Sequence, residues 1–344
     1  MSLERFIQAM PKVELHVHLE GAIQPESLLI LAERNGVQLP GRTVEELHRW
    51  FRFTDFNHFV DIYLTISRCI QTPDDIEWIT RRFLEHQAAQ NILYSEVTYT
   101  AYTHYLTKGL PFAEQLAAVN RARLWAEKEL GTRMGLVLDI PRHMPAEAGL
   151  MVADWAIGAM DKGVVAFGLG GPEVGYPPEN FRQAFQKTND AGLASVPHAG
   201  ETVGPASIWG ALRDLGADRI GHGVRCLEDP QLVAYLRERQ IPLEICPTSN
   251  ICLNLFPEFA AHPLPRLLEE GLFITLNSDD PPMFNTSLTQ EYQKVAETFN
   301  FGVEELRGLV LNGVRAGLMP PEERLAMERH FEKRFDELKT AYLS

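Results

Sequence analysis

Eight short runs rich in apolar and β-branched residues recur along the 344-residue chain, separated by stretches of helical periodicity. The runs are Val13–Leu19, Leu93–Thr100, Met134–Ile140, Val164–Gly170, Ala194–Gly200, Arg219–Arg225, Leu243–Ser249 and Phe273–Asp279. The helical stretches include Phe112–Leu130, Ala148–Lys162, Asn180–Ala191, Ser207–Gly216, Pro230–Arg239 and Leu264–Glu270. Strands alternating with helices pair in parallel through right-handed crossovers. The pattern therefore predicts an α/β fold, a closed (β/α)₈ barrel of the TIM type. A doubly wound open sheet is the other architecture that this alternation allows.

The spacing is uneven. From Gly21 to Ile92 the chain runs far longer than a plain βα connection. It holds helix-like segments at Pro25–Asn35 and Phe56–Cys69 and a helix start at Thr72-Pro73-Asp74-Asp75. We read about 21–92 as an elaborated helical first βα loop that acts as a lid over the barrel mouth. Its aromatics, Trp50, Phe51, Phe53, Phe56, Phe59 and Tyr63, are read mostly as lid core. The tail, about 303–343, reads as helical with a break at Gly317–Pro321. No repeat, low-complexity segment or linker interrupts the chain, so 1–344 reads as a single barrel domain.

A formal charge of −14 repels nucleic-acid phosphates and anionic membranes and favours small-molecule chemistry. No apolar run approaches the ~20 residues that span a bilayer, and the N-terminus lacks the pattern of a signal peptide. Cys69, Cys226, Cys246 and Cys252 are scattered, without a Cys-x-x-Cys pair. Such usage suits a reducing cytoplasm. The expected partner is a small molecule, with neither nucleic acid nor membrane; oligomeric state leaves no sequence signature.

Chemistry in a barrel of this kind sits at the C-terminal ends of the strands, where the unusual residues of this chain collect. The first strand ends His16-Val17-His18, the fifth Pro197-His198-Ala199-Gly200-Glu201, and the eighth Asn277-Ser278-Asp279-Asp280-Pro281; the sixth carries Gly221-His222-Gly223. Residues i and i+2 of a strand share a face, so His16 and His18 project side by side. Each residue alone has a bland reading: a hydrogen-bonded core histidine, a helix-start acid, a turn. Together on one rim they read as a site. Three neutral nitrogens from His16, His18 and His198 with an anionic oxygen from Asp279 suit one zinc ion and leave room for a bound water. The metal would bring that water's pKa to roughly 7. His222 is assigned to orienting the resulting hydroxide, Asp280 to holding the nucleophile or a substrate nitrogen, and Glu201 to shuttling a proton.

These motifs resemble those of the adenosine deaminase family, within the metal-dependent amidohydrolases. The resemblance covers nearly the whole chain: Pro11 to Gly21, His198-Ala199-Gly200-Glu201, Arg219 to Arg225, Cys246-Pro247-Thr248-Ser249-Asn250 and Asn277 to Pro281. It implies one zinc per chain and hydrolytic loss of the 6-amino group of a purine. Glu201 would protonate ring N1, and His222 and Asp280 would position the hydroxide. Gly171 matches the position whose backbone N–H meets purine N3. Gly200 and Glu20 are counted with it as substrate contacts.

Departures from the family pattern bear on the substrate. Adenosine deaminases usually have Asp where this chain has Glu20, at the ribose 5′-hydroxyl, and Asp where it has Pro172. The segment from Glu173 to Pro178 looks more like adenine deaminases. Those enzymes carry Asp where this chain has Gly221, which is read as leaving space for a sugar. Adenosine is therefore the first expectation. The alternative is 6-amino-6-deoxyfutalosine, an adenosine-like menaquinone intermediate with a bulky 5′ substituent, for which Arg52 or Arg68 could pair with a carboxylate. Free adenine ranks third and a non-catalytic nucleoside-binding relative last. Binuclear relatives usually place a lysine at the end of strand 4, and Phe167-Gly168-Leu169-Gly170 has none. The His/Cys/Cys pattern of the cytosine-type deaminases is also absent.

Overall fold

The computed structural model describes residues 2–343. Eight parallel strands follow one another in sequence order around a barrel. They are β1 (Lys12–His18), β2 (Ile92–Tyr99), β3 (Arg133–Pro141), β4 (Val164–Gly170), β5 (Ala194–Ala199), β6 (Ile220–His222), β7 (Leu243–Ile245) and β8 (Ile274–Leu276). All eight predicted runs are strands, and sequential order excludes the open-sheet alternative. The last three are shorter than their apolar runs. After β6 the backbone turns left-handed at His222 (φ 63°) and Gly223 (φ 68°). After β7 the predicted extension to Ser249 is instead a helix, Pro247–Cys252, because Pro247 presets its first turn and Glu291 accepts from the Thr248 N–H at 3.0 Å.

No ladder joins β8 to β1; side chains and an isolated bridge close the barrel there. Val17 pairs with Asp279. The His18 N–H donates to the Asp279 carbonyl at 3.0 Å, and the Asp279 N–H to the His16 carbonyl at 3.1 Å. Asn277 Oδ1 accepts from the N–H groups of Leu15 (2.8 Å) and His16 (3.2 Å). Buried Glu14 accepts from the Ser278 N–H at 3.1 Å.

The long first connection contains four helices, Pro25–Arg34, Val44–Trp50, Phe56–Arg68 and Pro73–Ala89. Thr72 and Asp75 form a capping box at the start of the last one. That helix packs against Phe112–Leu130 as an ordinary crossover helix, so the lid proper ends before it. A further helix not read from the sequence, Ala101–Lys108, follows β2 and also faces the mouth. His262 is buried; its Nε2 meets Asn250 Oδ1 at 3.0 Å and its Nδ1 accepts from the Leu264 N–H.

The tail forms Val303–Ala316 and Pro321–Leu343, broken where predicted. Val303–Ala316 packs on β1 through Gly313: a Cβ there would lie 2.5 Å from Val13 Cγ2. Gly308 in the same helix is exposed and faces open space. Gly308→Ala should therefore raise stability by up to about 1 kcal/mol through helix propensity. Gly313→Ala should lower it, because overpacking a stiff buried valine costs about 1–3 kcal/mol. Denaturation midpoints measured side by side check the signs; a Gly313→Ala midpoint at or above wild type would show that the helix is not pressed against β1.

Candidate metal centre and cavity

The β1/β8 seam delivers four potential ligands to one point. His18 Nε2 lies 3.1 Å from His198 Nε2. Asp279 Oδ1 lies 3.4 Å from His16 Nε2 and 3.3 Å from His18 Nε2. All four donor atoms fall within 4.8 Å of one another. Ligands about 2.0–2.1 Å from a tetrahedral zinc stand about 3.3 Å apart, so these separations are the edges of such a tetrahedron. The protons also argue for a cation. His18 Nε2 and His198 Nε2 face each other, and buried His16 Nε2 has no hydrogen-bond partner. One cation satisfies all of these lone pairs at once.

Each ligand is held from behind. Glu244 Oε2 takes the Nδ1 side of His16 at 2.9 Å, which leaves Nε2 for the centre. Arg219 is clamped between Glu244 (2.6 Å) and Glu96 (2.5 Å), and all three side chains are buried. Burial alone would raise the Glu244 carboxyl, but Arg219 and His16 hold it below its ordinary value. Ser249 donates to Asp279 Oδ2 at 2.7 Å. Asp279 sits at φ 66°, a left-handed conformation that Asp tolerates and that turns its carboxylate inward. Burial opposes charge on His16 and His18, yet Asp279 and Glu244 lift His16 to about 10, and Asp280 and Asp279 lift His18 to about 9. Asp279 itself stays well below the carboxylate range against its own burial, through its close contacts with His16 and His18. The pocket is built to hold positive charge.

Beside this centre stand Glu201, His222 and Asp280, all buried. His222 Nε2 is 3.7 Å from Glu201 Oε1 and 3.9 Å from Asp279 Oδ2. Burial and the neighbouring His16 push His222 down to about 4, so its imidazole is neutral at physiological pH. Burial, Asp279 and Glu173 raise Glu201 well above the usual carboxylate range, which favours its protonated form. Asp280 Oδ1 is buried without a hydrogen-bond partner.

Sequence reasoning missed Glu173 as an organiser. Its carboxylate accepts from the N–H groups of Gly200 (2.8 Å), Glu201 (3.0 Å), Thr202 (2.7 Å) and Val203 (2.8 Å) and from Ser207 Oγ (2.6 Å). It thereby fixes the loop that carries Glu201. Buried Arg142 sits 4.0 Å from Glu173 and donates to the carbonyl of His198. No motif flagged this role, because the donors come from a loop distant in sequence.

A cavity of about 290 Å³ opens above the centre. His18, His198, Glu201, His222, Asp279 and Asp280 line one end. Gly170, Gly171 and Pro172 follow along β4, and the far end is a cleft between the helices Phe56–Arg68 and Ala101–Lys108. Phe56, Phe59, Val60, Leu64, Leu106 and Met144 wall that cleft.

Three substrate-side residues lie outside the cavity lining. Gly200 does not line the cavity: its N–H is spent on Glu173, and it makes a left-handed turn (φ 71°) where a Cβ would strike Ile208. Glu20 does not line it either. Its Oε1 accepts from the Thr100 N–H at 3.2 Å and meets His104 Nε2 at 3.0 Å, while Oε2 accepts from Tyr63 Oη at 3.2 Å. Gly221 faces the rings of His16 and His198, which a Cβ would meet at 3.0–3.2 Å, rather than open space for a sugar. Phe56, Phe59 and Tyr63 line the cavity, whereas Phe53 packs behind on Phe59 and Phe284. Neither Arg52 nor Arg68 reaches the cavity lining; Arg68 bonds Thr65 instead.

Comparison with known proteins agrees with this geometry. The chain is 41% identical over 334 residues to an aminodeoxyfutalosine deaminase of Streptomyces coelicolor, covering 95% of this chain and 85% of that protein. An adenine deaminase from Arthrobacter aurescens superposes with a TM-score of 0.90 at 34% identity, covering 94% of this chain and 99% of that one. An amidohydrolase from Burkholderia ambifaria, solved with bound zinc, superposes with a TM-score of 0.92 at 26% identity over 99% and 95% of the two chains. The adenosine deaminase family model matches residues 11–333. This chain therefore belongs to the adenosine deaminase family of the amidohydrolases and is a purine 6-amino deaminase.

Proposed function

We propose that the substrate is an adenosine-like nucleoside with a bulky, largely apolar 5′ substituent, of which 6-amino-6-deoxyfutalosine is the named candidate. The observation that carries this reading is the engagement of Glu20. The acid expected at a ribose 5′-hydroxyl is buried and spent on Tyr63, Thr100 and His104. Where a 5′-hydroxyl acceptor would stand, the cavity instead continues into the apolar cleft between the two lid helices. The Streptomyces relative, named for an aminodeoxyfutalosine substrate, supports the same choice. The Arthrobacter relative favours free adenine as the second reading; an apolar cleft beyond the reaction centre would then have no occupant.

In this reading His16, His18, His198 and Asp279 would hold one zinc ion, which would supply a water nucleophilic at neutral pH to displace the 6-amino group as ammonia. Protonated Glu201 faces the reaction centre and delivers its proton to ring N1, making C6 electrophilic. Neutral His222 orients the attacking oxygen through Nε2. The unpartnered Asp280 Oδ1 holds the same oxygen or a ring nitrogen. Gly171 brings backbone to the ring edge without a side chain in the way, and the lid helices exclude water from the far end.

Purified protein should hold about one zinc per chain, and His198→Ala should lose both metal and activity. Full metal content in that variant, measured by atomic absorption, would falsify the ligand assignment. Glu201→Gln keeps shape and loses the proton; it should lower kcat by about 10²–10⁴ with zinc retained. A near-wild-type kcat would remove Glu201 from proton transfer. Among adenine, adenosine, 5′-deoxyadenosine and adenosines with aryl or alkyl groups at C5′, kcat/KM should rise with the size of the 5′ group. 5′-Deoxyadenosine should match adenosine within a few-fold, because no acceptor awaits the hydroxyl. If adenosine outpaced 5′-deoxyadenosine by about 10⁴, the loss typical of a site built for a hydroxyl, adenosine would be the substrate; a preference for adenine over every nucleoside would sink the reading.

A further inference from the structure

The cavity contains a carboxylate that the reaction at C6 does not use. Asp139, near the end of β3, is 3% exposed, lines the cavity, and has a buried Oδ1 with no hydrogen-bond partner. A buried acceptor left unpaired is costly, and an unpaired one in a binding cavity is a place for a ligand's donor. Neighbouring β4 makes way for it: a Cβ on Gly170 would lie 2.9 Å from Asp139 Oδ2.

Its wall decides what that donor is. Glu201, His222 and Asp280 come from the ends of β5, β6 and β8, whereas Asp139 belongs to β3, beside Thr100 at the end of β2. The C6–N1 edge and N9 lie at opposite ends of a purine. With C6 and N1 held at the metal and Glu201, the N9 substituent points away from that wall, toward β2, β3 and the lid. Glu20 stands outside the cavity lining, engaged with Tyr63, Thr100 and His104. We propose that Asp139 is the specificity-determining residue for the sugar, its carboxylate accepting hydrogen bonds from the ribose hydroxyls. This inference rests on the nucleoside reading above. Thr100 already hydrogen-bonds this carboxylate, so Oδ1 is the acceptor left for the sugar, and aspartate recognises a ribose hydroxyl in this way in dinucleotide sites.

The test compares wild type, Asp139→Ala and Asp139→Asn on adenosine, 2′-deoxyadenosine, 3′-deoxyadenosine, 2′,3′-dideoxyadenosine and adenine, with zinc content measured throughout. A hydrogen bond to a charged group sets the scale, roughly 10- to 100-fold in kcat/KM. Wild type should lose that factor between adenosine and the dideoxy compound. Asp139→Ala should lose it on adenosine, chiefly in KM, while keeping its zinc and acting on the dideoxy compound as wild type does. Asp139→Asn, with one acceptor oxygen left, should recover part of the loss. Equal losses on adenosine, the dideoxy compound and adenine would mark Asp139 as structural and overturn the proposal, as would an unchanged rate on adenosine. Failure of the nucleoside reading itself looks different: wild type would turn over adenine ahead of every nucleoside, before any variant is made.

Discussion

The β8–β1 seam is the constraint on which the rest of the structure depends. A closed barrel must join its last strand to its first, and here the join is made at the metal site itself. The backbone bonds of closure run between His16, His18 and Asp279, three of the four convergent ligands. Closing the barrel and assembling the donor set are thus one event. Asn277 and Glu14 complete the seam with side chains in place of a ladder. The short final strands follow from the same arrangement: each ends early so that a left-handed residue or a helix can aim a polar side chain inward.

Holding so many polar groups in a dry interior needs compensation, since an unpaired buried charge is strongly destabilising. The chain supplies it through carboxylates with several donors apiece. Glu244 and Glu96 share Arg219, and Glu244 passes the constraint to His16. Glu173 collects the N–H groups of the loop after β5 and so fixes Glu201 without touching the reaction centre. Groups left unpaired, Asp280 and Asp139 among them, face the cavity, where substrate can complete them.

The lid sets the length of the cavity. The helices Phe56–Arg68 and Ala101–Lys108 approach as two apolar faces, and Tyr63 ties the first of them to Glu20. Glu20 acts as a strut between lid and barrel, with His104 and Thr100 as its other contacts.

The sequence by itself determined the barrel, the positions of its strands and the rim residues. Apolar runs and helical periodicity are local signals, and His-x-His on a strand has only one geometry. The helix Phe112–Leu130 was legible to the residue because its start and its glycine stop are both written locally. Only the tertiary structure decided the rest. The direction of Glu20, the six donors on Glu173, the burial of His262 and the exposure of Asp139 to the cavity all depend on partners far away in the chain. Gly221 is the plainest case. In the sequence it looked like space for a sugar, but folding placed the rings of His16 and His198 against it, because the strands that flank a glycine decide which way its missing side chain would have pointed.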